Sequence, residues 1–347
     1  MELALVGEFK PKLLIPPPLA VVGGFRIAEL VALALCDKTD KVVIYVEGQD
    51  LGLPLSLTKY CRIDLKYGEL PEDVPKVDAA IAPYLLRSLS LNCGGRRVEL
   101  GSGLETLREC RSLETYADLI SNNLEIMRLA ISKLKALNAE LIKGEVGGVV
   151  KGDVVIWGKT HEYTYVAGPA VIGPESEVLP FSYVRPGSVL YYGVKVRDEV
   201  KNAVIDAFTY KEHHGYLGDS YVSSFVNFGA GTTVSNLKNT LGPIRPSYSD
   251  KQYQKLGPVI GEFVKTAIGT LIYGGKYVGP LSHIYGVVDR DIPPLVIYKG
   301  GEITPMDRSK IAQLVERDLS RFGLAHKVDT YVKALSELAG DNYTQSK

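Results

Sequence analysis

This sequence has few cysteines, no net charge and no long apolar run. The 347 residues include four cysteines, and no two of them form a CxxC pair. This excludes a disulfide-rich secreted domain, and we expect buried or half-buried free thiols. No apolar run approaches the roughly 18 residues that a membrane span needs. Met1 is followed by Glu2 instead of a basic segment, so we see no secretory signal and expect a cytoplasmic protein.

Charges of the two signs are balanced. The chain has 40 basic and 40 acidic residues, and its formal net charge is zero. Bulk charge therefore gives no support to the binding of nucleic acid or of an anionic membrane surface. The length is sufficient for two domains with a sizeable core.

A six-residue period dominates the middle of the chain. Aliphatic residues recur at every sixth position, and a small or aliphatic residue stands four positions after each of them. The aliphatic positions are Val166, Ile172, Val178, Val184, Leu190 and Val196. This period matches neither a helix nor a simple alternating strand. It is typical of a left-handed parallel β-helix, in which three hexapeptide units close one triangular coil and stacked coils bury the aliphatic column.

The repeat is interrupted and then returns. After Val196 its phase slips, and it resumes at Val222, Phe228 and Val234. Residues 235–259 are rich in Pro, Ser and Tyr and predict a loop ejected from the coil; long loops of this kind are often functional. The repeat then continues at Ile260, Thr266, Ile272, Val278 and Ile284.

Four segments follow from these patterns. We expect an α/β domain over residues 1–112, with a helix near residues 27–35, a buried strand over residues 41–46 and a weaker strand over residues 77–82. One long helix over residues 113–142 would lie in a linker that ends at residue 148. The β-helix would occupy residues 149–297. A tail of two amphipathic helices, residues 298–347, would join the N-terminal domain in covering the open ends of the β-helix.

The densest polar cluster lies where the repeat is irregular. Residues 211–219 read KEHHGYLGD, and residues 227–231 and 235–236 read NFGAG and SN. Stacked coils bring such segments to one edge of the prism, and their glycines allow a ligand to approach the backbone closely. Residues 183–187, YVRPG, add an arginine one or two coils earlier.

These motifs, in this order, resemble the acetyltransferase domain of bifunctional N-acetylglucosamine-1-phosphate uridyltransferase, over roughly residues 150–295. The resemblance implies that acetyl is transferred from acetyl-CoA to a sugar amine, with His213 as general base. It places contacts to a sugar phosphate or nucleotide sugar on Arg185, Lys201, Tyr216 and Asn227, and puts Asn236 near the acetyl group. It also implies a homotrimer with each site at a subunit interface.

Coenzyme binding departs from the family pattern. Ile268 stands where a serine is expected to contact coenzyme A, and the ejected loop is longer than in the bacterial enzymes. Lys238, Arg245, Lys251 and Lys255 are available for the coenzyme's pyrophosphate, and we assign Lys238 and Lys255 as the candidate contacts.

The N-terminal region departs further. Residues 10–16, KPKLLIP, resemble a segment of sugar-1-phosphate nucleotidyltransferases, but the Gly-rich loop that precedes it in that family has no room upstream. The region resembles a reduced version of that domain. We therefore expect nucleotidyl transfer to be lost, and a need for Mg²⁺ only if that activity is retained.

Three alternatives stay open. The first is residual uridylyl or thymidylyl transfer. The second is a trimer that binds sugar nucleotides without catalysis, which the isoleucine at the expected serine position favours. In the third, His213 is simply an exposed surface histidine. A zinc hydratase is disfavoured because no two of the five histidines have the required spacing of five residues, and we expect no metal site.

Overall fold

The computed structural model describes residues 1–58, 61–79, 82–86, 90–93, 96–99 and 113–343. It contains an α/β N-terminal domain, a parallel β-helix and C-terminal helices. The predicted fold class, an α/β domain followed by a left-handed parallel β-helix with a helical tail, is confirmed.

The N-terminal domain is built on a parallel four-stranded sheet. Its strands are β1 (Glu2–Val6), β4 (Val42–Glu47), β5 (Ile63–Gly68) and β6 (Lys76–Asp78), in the order β5-β4-β1-β6. Every pairing in this sheet is parallel. Two short antiparallel pairs accompany it: β2 (Val21–Val22) with β3 (Phe25–Arg26), and β7 (Ser90–Cys93) with β8 (Arg96–Glu99).

Two α-helices lie in the described residues of this part of the chain. Helix α1 (Ile27–Leu35) is buried along its whole length, as its continuous apolar sequence predicts. Helix α2 (Tyr116–Ala136) begins at a capping box, in which Thr115 and Asp118 satisfy each other's backbone N–H groups. It is shorter than the predicted helix over residues 113–142, because Asn138 adopts a left-handed φ of 54° and stops it.

The β-helix has three faces of stacked, parallel strands. The first face consists of Val149–Lys151, Tyr165–Ala167, Tyr183–Val184, Glu199–Lys201, Leu217–Gly218, Thr233–Val234, Leu271–Ile272 and Val287–Val288. The second face consists of Val154–Ile156, Ala170–Ile172, Val189–Leu190, Val204–Ile205, Tyr221–Val222, Val259–Ile260 and Tyr277–Val278.

The third face is the longest. It consists of Glu145–Val146, Lys159–Thr160, Glu177–Val178, Lys195–Val196, Tyr210–Lys211, Asn227–Phe228, Lys265–Thr266, His283–Tyr285, Val296–Lys299 and Glu302–Pro305. Its last strand, Glu302–Pro305, is antiparallel to its neighbour and ends the stack.

The sixfold column lies inside the prism, as the period predicts. All six aliphatic residues from Val166 to Val196 have no exposed surface. They share one buried cluster with Val222, Phe228, Ile260, Ile272 and Ile284. Each buried aliphatic side chain contributes about 1.5–3 kcal/mol, and stacking of the coils provides this burial.

The N-terminal domain packs on the side of the prism and not on its end. Outward-facing residues of the second face, among them Val155, Val171, Val189 and Val204, share a core with α1 and α2. The expectation that this domain covers an open end is therefore wrong. The first coil is covered instead by the segment after α2, where the backbone of Leu141 accepts a hydrogen bond from Ile156.

Buried polar contacts join the same two parts. Arg26 forms an ion pair with Asp206 at 3.0 Å, and both side chains are fully buried. The Glu262 carboxylate accepts hydrogen bonds from the backbone N–H groups of Leu14 and Ile15 at 3.2 and 3.1 Å. Burial raises the pKa of Glu262. These charges have partners, as buried charges must, so the two parts are held in one orientation.

The tail forms the two expected helices, α3 (Ile311–Ser320) and α4 (Val328–Tyr343). They also lie on the side of the prism, because Asp318 pairs with Lys265 of the third face at 2.8 Å. Tyr331 donates a hydrogen bond to the backbone of Leu51 at 3.0 Å, which ties the tail to the N-terminal domain. The two tail helices therefore do not act as an end cap.

The cysteine prediction needs a correction. Cys36, just after α1, and Cys61, two residues before β5, form a disulfide with Cα atoms 5.7 Å apart, where free thiols were expected. The fold brings them together across 25 residues of sequence. None of the helices in the described ranges has the length and apolar character needed to span a bilayer.

Candidate functional site

The irregular segment forms the corner between the third face and the first face. His213 lies in the turn between Tyr210–Lys211 and Leu217–Gly218, and its side chain is exposed. Lys211 occupies an inward position of the third face, directly next to Val196 of the neighbouring coil. Its ammonium group donates hydrogen bonds to the carbonyls of Arg197 and His213 at 2.7 and 3.3 Å. Burial lowers the pKa of Lys211 to about 8.

A second polar contact holds the same turn. The backbone N–H of Gly215 donates a hydrogen bond to the Asp198 carboxylate, one coil earlier, at 2.9 Å. Asp198 and Lys211 thus fix the backbone on both sides of His213 without engaging its imidazole. A fixed backbone with an exposed ring is suited to presenting a base to a ligand. His214 is also exposed.

Asp219 is the centre of the polar cluster on the first face. Lys201 Nζ lies 2.9 Å from Asp219 Oδ2, and the Asp219 side chain is almost fully buried. Asn236 donates hydrogen bonds both to Asp219 and to the Tyr216 hydroxyl, the latter at 2.8 Å. The structure therefore brings together three of the predicted site residues, Lys201, Tyr216 and Asn236, around one carboxylate.

Tyr216 lies over a glycine. A Cβ at Gly218 would approach the Tyr216 hydroxyl to 2.1 Å and the ring to 2.4 Å, so a larger residue would displace the ring. Burial, together with the nearby Asp219 carboxylate, raises the pKa of Tyr216 to about 12. The phenol is therefore protonated at neutral pH and can donate a hydrogen bond to a sugar oxygen.

Arg185 lies beside this cluster on the first face. Its Nη1 donates to Glu199 at 2.7 Å, and the guanidinium lies 5.6 Å from the Tyr183 ring centroid. The bond to Glu199 raises the pKa of Arg185 further. One nitrogen is used in this pair, and the guanidinium has five N–H donors, so others can bind phosphate oxygens.

The cluster is connected to the N-terminal domain. Asn202 donates to Asp219 at 2.9 Å and accepts from Asn123 of α2 at 3.3 Å. Asn123 in turn accepts a hydrogen bond from the backbone of Gly23 at 2.8 Å. A continuous chain of hydrogen bonds therefore runs from Asp219 into the N-terminal domain.

Asn227 does not join this cluster within one chain. Its strand lies on the third face, where it pairs with Tyr210 and Lys265. The assignment of Asn227 as a sugar contact stays a prediction.

The ejected loop returns to the same place. The backbone N–H of Leu256 donates to the Asn236 carbonyl at 3.0 Å, so the two ends of the loop meet. Lys238 follows Asn236 by two residues and Lys255 precedes Leu256, so both exposed lysines belong to the joined ends of the loop. Their assignment as contacts to the coenzyme's pyrophosphate stays a prediction. Lys251 instead pairs with Asp118 of α2 at 3.0 Å, and Ile268 is 79% exposed.

Sequence reasoning missed Asp219, Asn202 and Lys211 as members of the candidate site. Asp219 stood inside the quoted motif, but only the fold shows that three neighbours converge on it. Lys211 had a signal, because it is a charged residue at an inward position of the coil. Among the described residues, no group of three His, Cys, Asp or Glu side chains is arranged to hold a metal ion.

A separate cavity of about 760 Å³ lies in the N-terminal domain. It is at the carboxyl ends of β1 and β4 and is lined by Lys10, Lys12 and the three prolines after them. This edge is where open parallel sheets bind ligands.

Comparison with known proteins agrees with the motifs, although no family model matches the chain. Over 153 residues, 41% of the chain, it is 37% identical to a bifunctional sugar-1-phosphate nucleotidylyltransferase/acetyltransferase of Sulfurisphaera tokodaii. Over 132 residues, 36% of the chain, it is 35% identical to the bifunctional protein GlmU of Methanococcus vannielii. These matches cover 38% and 32% of the relatives, so the chain spans about a third of the length of the curated relatives it matches.

Among solved structures, the UDP-N-acetylglucosamine acyltransferase of Francisella novicida has a TM-score of 0.34 at 15% identity, covering 55% of this chain and 71% of that one. The acetyltransferase domain of PglB from Neisseria gonorrhoeae has a TM-score of 0.27 at 17% identity, covering 88% and 98%. Scores this low bear on neither the site nor the activity. The sequence matches, however, confirm the resemblance stated from the motifs: this chain is similar to the bifunctional sugar-1-phosphate nucleotidylyltransferase/acetyltransferases.

Proposed function

We propose that this chain is an acyl-CoA-dependent N-acetyltransferase whose acceptor is an amino-sugar phosphate or a nucleotide sugar. One observation carries the proposal: Lys201 and Asn236 bond to Asp219, Asn236 also bonds to Tyr216, Arg185 lies beside them, and His213 is at the adjacent corner. Cations suit the phosphate, and the phenol and amide suit sugar hydroxyls. The similarity to bifunctional nucleotidylyltransferase/acetyltransferases supports the same reaction class.

In this reaction His213 acts as general base. Its neutral imidazole accepts a proton from the sugar amine, whose nitrogen forms a bond to the thioester carbonyl carbon. The carbon–sulfur bond then breaks, and the coenzyme leaves as a thiolate that takes up a proton. The products are an N-acetylated sugar and free coenzyme A.

Subunit assembly is part of the proposal. The N-terminal domain covers the second face and the tail helices pack on the third, whereas the first face has exposed Leu271, Tyr273 and Val287. Exposed apolar surface of this kind marks an interaction site. We expect this face to contribute to a homotrimer, as the resemblance implies.

The test follows thiol released from acetyl-CoA with glucosamine-1-phosphate as acceptor. His213→Ala is expected to lower kcat by about 10²–10⁴-fold, because the amine loses its base. His214→Ala is the matched control, since it removes the adjacent exposed imidazole, and its kcat is expected to stay within about threefold of wild type. Equal rates for wild type and His213→Ala would remove His213 from the role.

A non-catalytic sugar-nucleotide-binding trimer is the competing proposal, and the exposed Ile268 favours it. Under that reading the wild-type chain releases no thiol in the same assay. Nucleotidyl transfer has less support: Lys10 and Lys12 at the N-terminal cavity suit phosphate, but Glu8 and Glu47 line the same cavity. Its loss stays a prediction.

A further inference from the structure

Two adjacent coils carry the same exposed aromatic pattern. Tyr163-Thr164-Tyr165 in one coil is followed 18 residues later by Phe181-Ser182-Tyr183. Tyr163 and Phe181 stack with centroids 5.4 Å apart and planes within 10°. Tyr165 and Tyr183 meet edge to face at 5.4 Å. We call these four side chains the aromatic patch.

The patch is exposed to an unusual degree for large rings. Tyr163 and Phe181 are 71% and 74% exposed, and Tyr183 is 41% exposed. A cavity of about 600 Å³, lined by Tyr163 and Phe181 together with His161 and Lys159, lies on its third-face side. Open rings beside a cavity do not serve the core, and they leave ring faces available to a ligand.

Cations border the patch on its first-face side. The guanidinium of Arg185 lies 5.6 Å from the Tyr183 ring, and Lys151 Nζ lies 5.8 Å from the Tyr165 ring. Tyr183 pairs with Glu199 of the next coil, and Lys201 lies on that same strand. Aromatic rings next to arginine and lysine form the combination that binds a base and its phosphates together.

Along the axis of the prism, the aromatic rings, the cations and His213 follow one another in a fixed order. Successive strands of the first face carry Tyr165, then Tyr183 with Arg185, then Lys201, then Leu217 after the His213 turn. Neighbouring strands lie about 4.8 Å apart. Rings, phosphate-binding cations and the candidate base therefore follow one another over about 15 Å. A nucleotide-linked sugar has its base, its phosphates and its sugar amine in that order.

From this arrangement we infer that the acceptor is a nucleotide-linked amino sugar, whose base stacks on the aromatic patch while its diphosphate lies against Arg185 and Lys201. The inference rests on the proposed acetyl transfer and specifies its substrate. A free amino-sugar 1-phosphate would leave the patch empty. A second copy of the chain is the other occupant to consider, but the bordering cations complement phosphate better than an apolar partner surface.

The experiment compares two acceptors that differ only in the nucleotide: UDP-glucosamine and glucosamine-1-phosphate, each with acetyl-CoA. Wild type is expected to give a kcat/KM at least about tenfold higher with UDP-glucosamine. Tyr183→Leu should lower the ratio of the two kcat/KM values about tenfold, because base stacking contributes about 1–3 kcal/mol. Tyr183→Phe keeps the ring and is expected to keep the ratio.

A binding measurement tests the aromatic patch independently of the proposed acetyl transfer. Calorimetry of UDP with the full-length chain needs no turnover, and Tyr183→Leu should weaken Kd about tenfold while Tyr183→Phe does not. This result supports the patch even if acetyl transfer fails. Equal kcat/KM for both acceptors in wild type, or one UDP affinity for all three proteins, would overturn it. A change in oligomeric state of Tyr183→Leu without a change in UDP affinity would assign the patch to a second copy and overturn it as well.

Discussion

Two corners of the same prism carry aromatic side chains in the same backbone conformation. At the corner between the second and third faces, Phe208, Phe225 and Phe263 have φ values of 58°, 63° and 60° and form one stack with centroid spacings of 5.5 and 4.8 Å. At the corner between the third and first faces, Tyr163 and Phe181 have φ values of 60° and 65° and also stack.

Their surroundings are opposite. The first stack is covered by the tail, because Phe322 packs on Phe208 at 4.6 Å and Tyr331 packs on Phe263 at 5.2 Å. The second pair is exposed, and two coils further the same corner carries the exposed His213 and His214. That turn is held by Lys211 and Asp198 through polar contacts. Covered rings stabilise the fold, whereas the open corner leaves room for a ligand.

The largest expected effect is at the covered corner. Phe225 is 1% exposed and contacts four other rings, two of them in the tail, so Phe225→Ala leaves a cavity between the prism and the tail. We expect the free energy of unfolding to fall by about 3–5 kcal/mol. Urea unfolding followed by circular dichroism measures it. A loss below about 1 kcal/mol would mean that the stack does not stabilise the tail.

An intermediate, pH-dependent effect is expected at the open corner. Burial lowers the pKa of Lys211 from 10.5 to about 8. Between these values the unfolded chain binds the proton and the folded chain does not, so folding becomes more favourable as pH rises. Wild type should gain up to about 3 kcal/mol relative to Lys211→Met between pH 8 and pH 10.5, and nothing below pH 8. Parallel stability curves for the two proteins would show that this lysine is solvated.

The smallest effect is expected for Phe181→Ala, which serves as a control for Phe225→Ala and Lys211→Met. Phe181→Ala removes a ring of the same type from the same backbone conformation, but 74% of that side chain is exposed. We expect the unfolding free energy to change by less than about 0.5 kcal/mol, as at other surface positions. A loss as large as that of Phe225→Ala would mean that the patch is covered in solution.

The repeat was predictable because the physics that sets it is local. A period of six fixes which side chains point inward, and Val166, Ile172 and Val178 are buried as expected. Helix α1 was likewise readable from its own apolar sequence. The elements that cover the prism could not be predicted from the sequence. Their packing depends on outward-facing residues such as Val171 and Val189, and the six-residue period does not distinguish these from outward-facing residues that stay in solvent.

The candidate site was predicted in part for a similar reason. Lys201, Tyr216 and Asn236 were found from motif residues, and the fold brings them together. Asp219 was missed as their centre because the contacts join coils 17 and 18 residues apart. The Cys36–Cys61 disulfide depends on where α1 and β5 meet, which cysteine spacing does not reveal.

The central claim is that His213 and the Asp219 cluster form one acetyl-transfer site. A crystal structure of the full-length chain with bound coenzyme A tests it most directly. The account predicts that the coenzyme sulfur lies beside the His213 imidazole, with the pyrophosphate near Lys238 or Lys255. Coenzyme bound far from this corner, for example in the N-terminal cavity at Lys10 and Lys12, would contradict the account.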